Sequence, residues 1–252
     1  MKAPFCQAAA AEANARLDAM RPNGKRRGNQ ALRAVHVPRL SLRRMRFAAT
    51  LALALSLAGP ASASELVVKL ATAAGQPIGD AVVMVRPADP GRAPPRLSGP
   101  FVMAQRGMQF HPFVLIAPVG AAVSFPNFDP FRHHVYSFSK AKTFELKLYG
   151  QDETRKVTFD KAGVVALGCN IHDNMAAYIR VVDTPWAVKA GDDGQAVVRD
   201  LPPGPATVVV WHPYLRAGNG ELVRKVTVPA AGAVRLSLTA ELKHVRLRRS
   251  GY

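Results

Sequence analysis

The chain has 252 residues, and its 34 Lys and Arg against 17 Asp and Glu give a formal net charge of +17. Residues 1–63 hold 11 basic and two acidic side chains, so a charge of +8 remains on residues 64–252. This moderate excess, without a recognition motif for nucleic acid, argues against a nucleic-acid-binding protein. It favours a partner with an acidic surface, toward which a basic protein associates faster.

Residues 1–63 have the features of a leader that ends in a secretory signal peptide. A basic stretch precedes an apolar run of 12 residues at 48–59, and small residues suited to cleavage follow at 61–63. This order of regions is typical of a signal peptide, and the apolar run is too short for a stable membrane span. We therefore expect export to the periplasm with cleavage near Ala63. Met45 is an alternative start, because the residues before it do not fit a signal peptide.

The rest of the chain predicts an all-β fold. Short apolar runs alternate with Gly, Pro, Asn and Asp, and helical periodicity is nearly absent. A segment rich in Pro, Arg and Gly at 87–100 predicts a linker, and a basic tail closes the chain. The predicted strands, in chain order, span residues 66–70, 81–85, 114–117, 123–125, 135–138, 144–149, 164–167, 177–182, 196–198, 208–211, 226–228 and 234–238.

One cysteine stands out after the leader. Cys6 lies in the leader, so Cys169 is the only thiol that follows it and has no partner for an internal disulfide. An unpaired thiol in an exported protein is either an inert core residue or a functional group. His172 and Met175 follow Cys169 within six residues, in a loop between two predicted strands. This mounting suits a metal site, which needs rigid support.

A thiolate, imidazoles and a thioether together form a donor set suited to copper. Cys and Met favour Cu(I), and a His₂Cys plane with a weak axial Met is the arrangement of electron-transfer copper sites. The fourth donor is expected from a neighbouring strand that begins near His133 and His134. Zinc suits the set less well, because Met is a poor zinc ligand. A cysteine nucleophile would need a base and an oxyanion hole that the sequence does not indicate, so we expect no enzymatic activity.

Two runs resemble the ligand segments of the cupredoxins, the family of plastocyanin, pseudoazurin and amicyanin. They are FPNFDPFRHHV at 125–135 and GCNIHDNM at 168–175. The resemblance covers about residues 101–182 and implies a Greek-key cupredoxin β-sandwich with one type 1 copper. The implied ligands are His133, Cys169, His172 and Met175, with His134 as the alternative to His133. The short gap between the last two ligands is similar to amicyanin, and the whole most closely resembles exported proteins labelled methylamine-utilisation proteins.

Two positions depart from the pattern of that family. His134 stands where the family commonly has Asn after the first ligand, and Ile171 stands where it commonly has Pro. His134 is therefore a neighbour that supports the ligand, a surface residue or the ligand itself. Met103, Met108 and His111 give weak support to a further Cu(I) site, although two Met on a β segment are more often packing residues.

The segments on either side of this block resemble a second β module. The runs at 74–83, 193–195 and 201–204 are similar to carboxypeptidase-regulatory-like, transthyretin-type β-sandwiches. That resemblance implies a structural or adhesive role. Either the cupredoxin block is inserted into this sandwich, or residues 66–86 provide the first cupredoxin strands.

The expected function is that of a one-electron carrier between redox partners. The docking partner would be a cytochrome or a dehydrogenase with an acidic surface, and association would weaken at high salt. The alternatives are a copper-binding or delivery protein without redox turnover, and a structural β-sandwich binding module. The expected parts are a leader (1–63), an N-terminal β segment and linker (64–98), a cupredoxin-like copper domain (99–183), a carboxypeptidase-regulatory-like β module (184–242) and a basic tail (243–252).

Overall fold

The computed structural model describes residues 64–91 and 97–243. The expected signal peptide, the alternative start at Met45, the middle of the predicted linker and the tail beyond Lys243 lie outside the described residues. Within the described ranges the chain is all-β, as predicted, and its one helical element is a 3-10 turn at Gly218–Gly220. No helix in this part of the chain is long and apolar enough to cross a membrane.

The described chain forms strands throughout. In order they are β1 (Ser64–Ala71), β2 (Val82–Pro87), β3 (Phe101–Val102), β4 (Ala104–Arg106), β5 (Gln109–His111), β6 (Val114–Pro118), β7 (Ala121–Pro126), β8 (His133–Ser139), β9 (Lys142–Tyr149), β10 (Thr154–Phe159), β11 (Gly163–Cys169), β12 (Ala176–Val182), β13 (Ala187–Lys189), β14 (Gln195–Leu201), β15 (Gly204–Trp211), β16 (Glu221–Val228) and β17 (Ala233–Thr239).

The strands form two groups of sheets, one nested in the other along the sequence. Strand β1 lies between β14 and β17, and the second outer sheet has the order β13-β2-β15-β16. Strands β3 to β12 pair among themselves in the orders β10-β7-β3 and β6-β12-β11-β8-β9, with a separate hairpin of β4 and β5. We call β1, β2 and β13–β17 the outer module, and β3–β12 the inner module. The first two strands thus pair with strands that follow the inner module, not with the inner module itself.

Each module has its own apolar core. In the outer module Leu66 and Val68 of β1 are buried against Val208 of β15. In the inner module Phe125 of β7 and Ile179 of β12 belong to a separate buried cluster. Fully burying one such side chain contributes about 1.5–3 kcal/mol. The strands after the inner module contain too few residues to enclose a core alone, so β1 and β2 supply the missing apolar faces.

A third buried cluster lies between the two modules. Arg180 of β12 extends into it, with its Nη2 2.7 Å from Glu221 Oε1 and its guanidinium 5.7 Å from the centre of the Trp211 ring. Burial lowers the pKa of Arg180, and the Glu221 carboxylate counteracts this effect. An ion pair therefore joins β12 of the inner module to β16 of the outer module. The buried apolar residues around it are Val82, Met84, Val114, Val182, Ala187, Val209 and Trp211.

All twelve predicted strands overlap observed strands, and five observed strands were not predicted. Four of these, β3, β4, β5 and β13, have only two or three residues each, too few to show an alternating pattern. The fifth, β10, is mostly exposed and polar. The hairpin of β4 and β5 turns at Gly107 and Met108, whose φ angles of 60° and 54° are both positive. Two successive positive φ angles are the mark of a tight two-residue hairpin turn.

Candidate metal centre

Two neighbouring strands and one short loop carry the predicted ligands. His133 is the first residue of β8 and Cys169 is the last residue of β11. These strands pair antiparallel, so both residues lie at the same end of the sheet. His172 and Met175 lie in the loop that leads to β12, where the Met175 N–H donates to the His172 carbonyl at 3.0 Å. The Asn170 N–H donates to the His134 carbonyl at 3.2 Å and fixes the start of this loop against β8.

Three donor atoms of this group converge. The Cys169 Sγ lies 3.7 Å from His133 Nδ1 and 3.8 Å from His172 Nδ1. All three lie within 4.8 Å of one another. Bonds of about 2.3 Å to sulfur and about 2.0 Å to nitrogen that meet at about 120° place the two donors about 3.7 Å apart. The two sulfur–nitrogen distances therefore match those of donors that share one metal ion.

The chemistry of the donors favours copper. The fourth predicted ligand, Met175, is buried in the same cluster as Cys169. The exposed fractions are 0% for His133, 3% for Cys169 and 2% for Met175, whereas His172 is half-buried. Thiolate and thioether sulfur with two imidazoles match both oxidation states of copper. Only one ligand edge of this set reaches the surface, at His172.

His133 is held from behind by a carboxylate. Its Nδ1 faces Cys169, and its Nε2 lies 2.8 Å from Asp129 Oδ2. Asp129 is buried and also accepts the backbone N–H groups of Gly107 at 2.6 Å and Met108 at 3.0 Å. Burial raises the pKa of the Asp129 carboxyl, but hydrogen bonds from His133 and from these backbone groups outweigh burial and hold the pKa below its usual 3.8. The carboxyl group is therefore ionised at neutral pH.

His134 points away from this centre. Its Nε2 lies 2.8 Å from Glu145 Oε1, on the neighbouring strand β9. Successive side chains of a strand point to opposite faces, so only one member of the His133-His134 pair can face Cys169. Of the two alternatives that the sequence left open, the structure brings His133 to Cys169 and His172, and pairs His134 with Glu145.

A buried polar cluster underlies the centre and was not anticipated from the sequence. Tyr149 pairs with His133 across β8 and β9, and its Oη donates to the Phe125 carbonyl at 2.9 Å. The Gln105 amide donates to the same Oη, while its own Oε1 is buried without a partner among the described residues. Asn127 Nδ2 donates to the carbonyls of Tyr149 and Phe131. Burial raises the pKa of Tyr149 to about 12, so its phenol stays neutral.

Two exposed apolar residues adjoin His172, one in space and one along the chain. The Phe131 ring lies 5.4 Å from the His172 ring and 5.2 Å from the His133 ring. Phe131, Ile171 and Phe128 are large apolar residues that the structure leaves exposed. The sequence does not indicate that Phe131 and Phe128 are exposed, because a run of Phe and Pro is equally typical of a buried core. We call Phe131 and Ile171, the two of these residues that adjoin His172, the apolar rim.

The weaker sequence candidates lie outside the ligand cluster. Met103 is fully buried in the inner core, and Met108 and His111 are exposed on the β4–β5 hairpin. His212 is buried in the outer module, where burial lowers its pKa. Tyr136 packs so closely on Gly168 that a Cβ there would meet its ring at 2.7 Å.

Comparison with solved structures finds copper proteins. A copper-containing nitrite reductase from Thermus scotoductus SA-01 aligns at 29% identity and a TM-score of 0.33, over 39% of this chain and 25% of that one. The chain therefore spans a quarter of the length of that enzyme. A purple cupredoxin from Nitrosopumilus maritimus aligns at 19% identity and a TM-score of 0.30, over 32% of this chain and 99% of that one. A Cu(I) form of an amicyanin mutant aligns at 20% identity and a TM-score of 0.31, over 40% and 98%.

Comparisons at the level of sequence find no relative. No protein-family model matches the chain. A comparison with curated proteins also finds no match. Each of these structural neighbours aligns over a minority of this chain.

Proposed function

We propose that this chain is an exported type 1 copper protein that carries single electrons between redox partners. The observation that supports the proposal most is the convergence of Cys169 Sγ with the Nδ1 atoms of His133 and His172 at 3.7 and 3.8 Å. One copper, when bound, would supply reversible one-electron chemistry. His133, Cys169 and His172 would hold it in a plane, and Met175 would be the weak axial ligand.

The supports of these ligands suit electron transfer. His133 and Cys169 lie on paired strands, and His172 and Met175 lie in a loop closed by backbone hydrogen bonds. Rigid support keeps the donor positions similar in both oxidation states, because little can move when the charge changes. Burial of the other donors excludes water and leaves the half-buried His172 as the edge through which electrons enter and leave.

The surface around His172 suits a transient redox partner. The apolar rim provides contact area that needs no polar partner, and Arg106 and Arg132 of the inner module are exposed. Together with the charge of +8 on residues 64–252, these cations favour a partner with an acidic docking surface. Association should therefore slow as ionic strength rises. A cytochrome or a dehydrogenase would meet these requirements. Membership of the methylamine-utilisation type rests on sequence resemblance alone.

The domain organisation belongs to the same proposal. The inner module would be the copper domain and the outer module a carboxypeptidase-regulatory-like support, with the inner module inserted between β2 and β13. The outer module has no assigned chemistry. Copper delivery is less well supported, because delivery needs accessible donors and three of the four proposed ligands, His133, Cys169 and Met175, are buried.

Titration of the purified protein with Cu(II) tests the proposal. We expect one copper per chain, an intense blue absorption band and a narrow copper hyperfine splitting in EPR. Cys169→Ser should abolish the band, and His133→Gln should abolish it where the matched variant His134→Gln retains it. Weak colourless binding would point to copper delivery, and no binding would leave a structural module.

A further inference from the structure

The two nitrogens of one histidine have different partners in this structure. Nδ1 of His133 faces Cys169 Sγ at 3.7 Å, and Nε2 faces Asp129 Oδ2 at 2.8 Å. A neutral imidazole carries one proton, on one nitrogen. A carboxylate can only accept, so the proton must lie on Nε2 and the lone pair on Nδ1 faces the cluster. For His172, the described residues provide no comparable carboxylate within hydrogen-bond distance.

Both oxygens of Asp129 are committed. Oδ1 accepts the Gly107 N–H at 2.6 Å, and Oδ2 accepts the Met108 N–H at 3.0 Å as well as the His133 N–H. The Asp129 N–H in turn donates to Asn127 Oδ1 at 2.9 Å. The carboxylate therefore has a single orientation, fixed by the tip of the β4–β5 hairpin on one side and by the imidazole on the other.

The hairpin tip is built to hold an anion. Gly107 and Met108 both have positive φ, and their two successive N–H groups donate to the two oxygens of the Asp129 carboxylate. Successive backbone donors in a turn can bind an anionic group in this way. The left-handed conformation is unfavourable for a residue with a Cβ, and the surrounding contacts hold Met108 in it. Hydrogen bonds thus join the hairpin turn to Asp129 and Asp129 to His133.

We propose that Asp129 is the positioning residue of the metal centre. This inference rests on the proposed copper function and adds a residue to it. Asp129 selects the His133 tautomer that presents Nδ1 to the metal, fixes the ring against rotation, and places a negative charge behind the ligand. A carboxylate behind a metal-bound imidazole raises the basicity of the ligand. It should therefore stabilise Cu(II) more than Cu(I), because the higher charge gains more from a nearby anion.

Asparagine cannot replace Asp129 in this role. Its amide has one acceptor and one donor group, whereas Asp129 accepts at both oxygens. If the amide oxygen turns to His133, the NH₂ group meets the Gly107 N–H; if it turns to Gly107, the NH₂ group meets His133 Nε2 and favours the opposite tautomer. Asp129→Asn therefore loses the contact with His133 or leaves a backbone N–H unpaired.

The test compares the wild-type full chain, Asp129→Asn and the control Asp173→Asn. The control removes the same charge from an exposed residue next to His172. For Asp129→Asn we expect Cu(II) affinity, measured by chelator competition, to fall about 10- to 100-fold. Each tenfold loss of Cu(II) over Cu(I) preference should raise the reduction potential by about 59 mV. Asp173→Asn should change the Cu(II) affinity by no more than about twofold, because solvent screens its charge.

A second measurement does not depend on any variant. Long-range ¹⁵N–¹H NMR of the copper-free wild-type protein should show His133 protonated at Nε2 and unprotonated at Nδ1. The opposite tautomer overturns the inference, even if Asp129→Asn fails to fold. An unchanged affinity and potential in folded Asp129→Asn overturns the inference alone. A wild-type protein that forms no blue copper complex overturns the proposed function and, with it, the role of Asp129.

Discussion

The Arg180–Glu221 ion pair between the modules should contribute far more to the free energy of unfolding than the exposed Arg86–Asp183 pair. The Arg180 side chain is 10% exposed and that of Glu221 is 26% exposed, with 2.7 Å between Nη2 and Oε1. Removing one partner of a fully buried pair costs about 3–5 kcal/mol, because it leaves an uncompensated charge. Glu221→Gln leaves Arg180 in this position, where partial access of water reduces the expected loss to about 2–3 kcal/mol.

The opposite variant should be milder. Arg180→Met removes the more deeply buried charge and leaves Glu221 able to turn toward water. Met also retains apolar contact with Met84 and Trp211, both buried beside Arg180. We expect a loss of about 1–2 kcal/mol, and the double variant should lose clearly less than the sum of the single variants.

Urea unfolding, followed by fluorescence of the two tryptophans, measures these changes in the free energy of unfolding. The matched control is Asp183→Asn, which breaks the Arg86–Asp183 pair at 2.7 Å, where the side chains are 42% and 51% exposed. This control should cost at most about 1 kcal/mol. The reasoning is refuted if Glu221→Gln costs no more than the control, or if the double variant equals the sum.

Further predictions concern backbone strain, pH and access to the metal. Gly194→Ala should lower the free energy of unfolding, measured in urea, by about 2–4 kcal/mol, because φ is +73° and the new Cβ would lie 2.3 Å from a backbone oxygen of β1. The control Gly75→Ala has a similar φ of +78° but open space around the new Cβ, so it should lose only about 1–2 kcal/mol. Burial lowers the pKa of His212, so the unfolded state binds the proton first as the pH falls below about 6.5. The free energy of unfolding should then fall by at most about 1.4 kcal/mol per pH unit from this group, and His212→Gln should remove that contribution. His172→Gly should form a blue Cu(II) complex only when imidazole is added. His133→Gly should stay colourless even with imidazole, because the site of His133 is fully buried. Equal rescue of both variants would contradict the assigned exposure.

The strand pattern was predictable because it is local. Apolar residues at alternate positions of β1, β9 and β12 indicate strands whatever their partners are. The spacing of Cys169, His172 and Met175 was informative for the same reason, since one short loop must keep its residues together. Strands of two or three residues contain no such pattern, and the β4–β5 hairpin was therefore missed.

Only the tertiary structure shows which of His133 and His134 lies beside Cys169. Both residues stand at the start of β8, and alternation along a strand says only that they face opposite sides. Which side faces Cys169 depends on how β8 pairs with β11, and the pairing of Val135 with Cys169 sets that register. The role of Asp129 depends on contacts with Gly107 and Met108 more than 20 residues earlier, which no local pattern reveals.

Local periodicity and side-chain chemistry are enough to predict the β class, the positions of the long strands and the candidate soft donors. The tertiary structure decided which strands pair, and it joined β1 to β17 in parallel across the whole inner module. It also decided which histidine turns inward and which carboxylate stands behind it. Alternation fixes the face that a strand buries but not the neighbour it finds, so partners distant in sequence are set only when the sheets close around a common core.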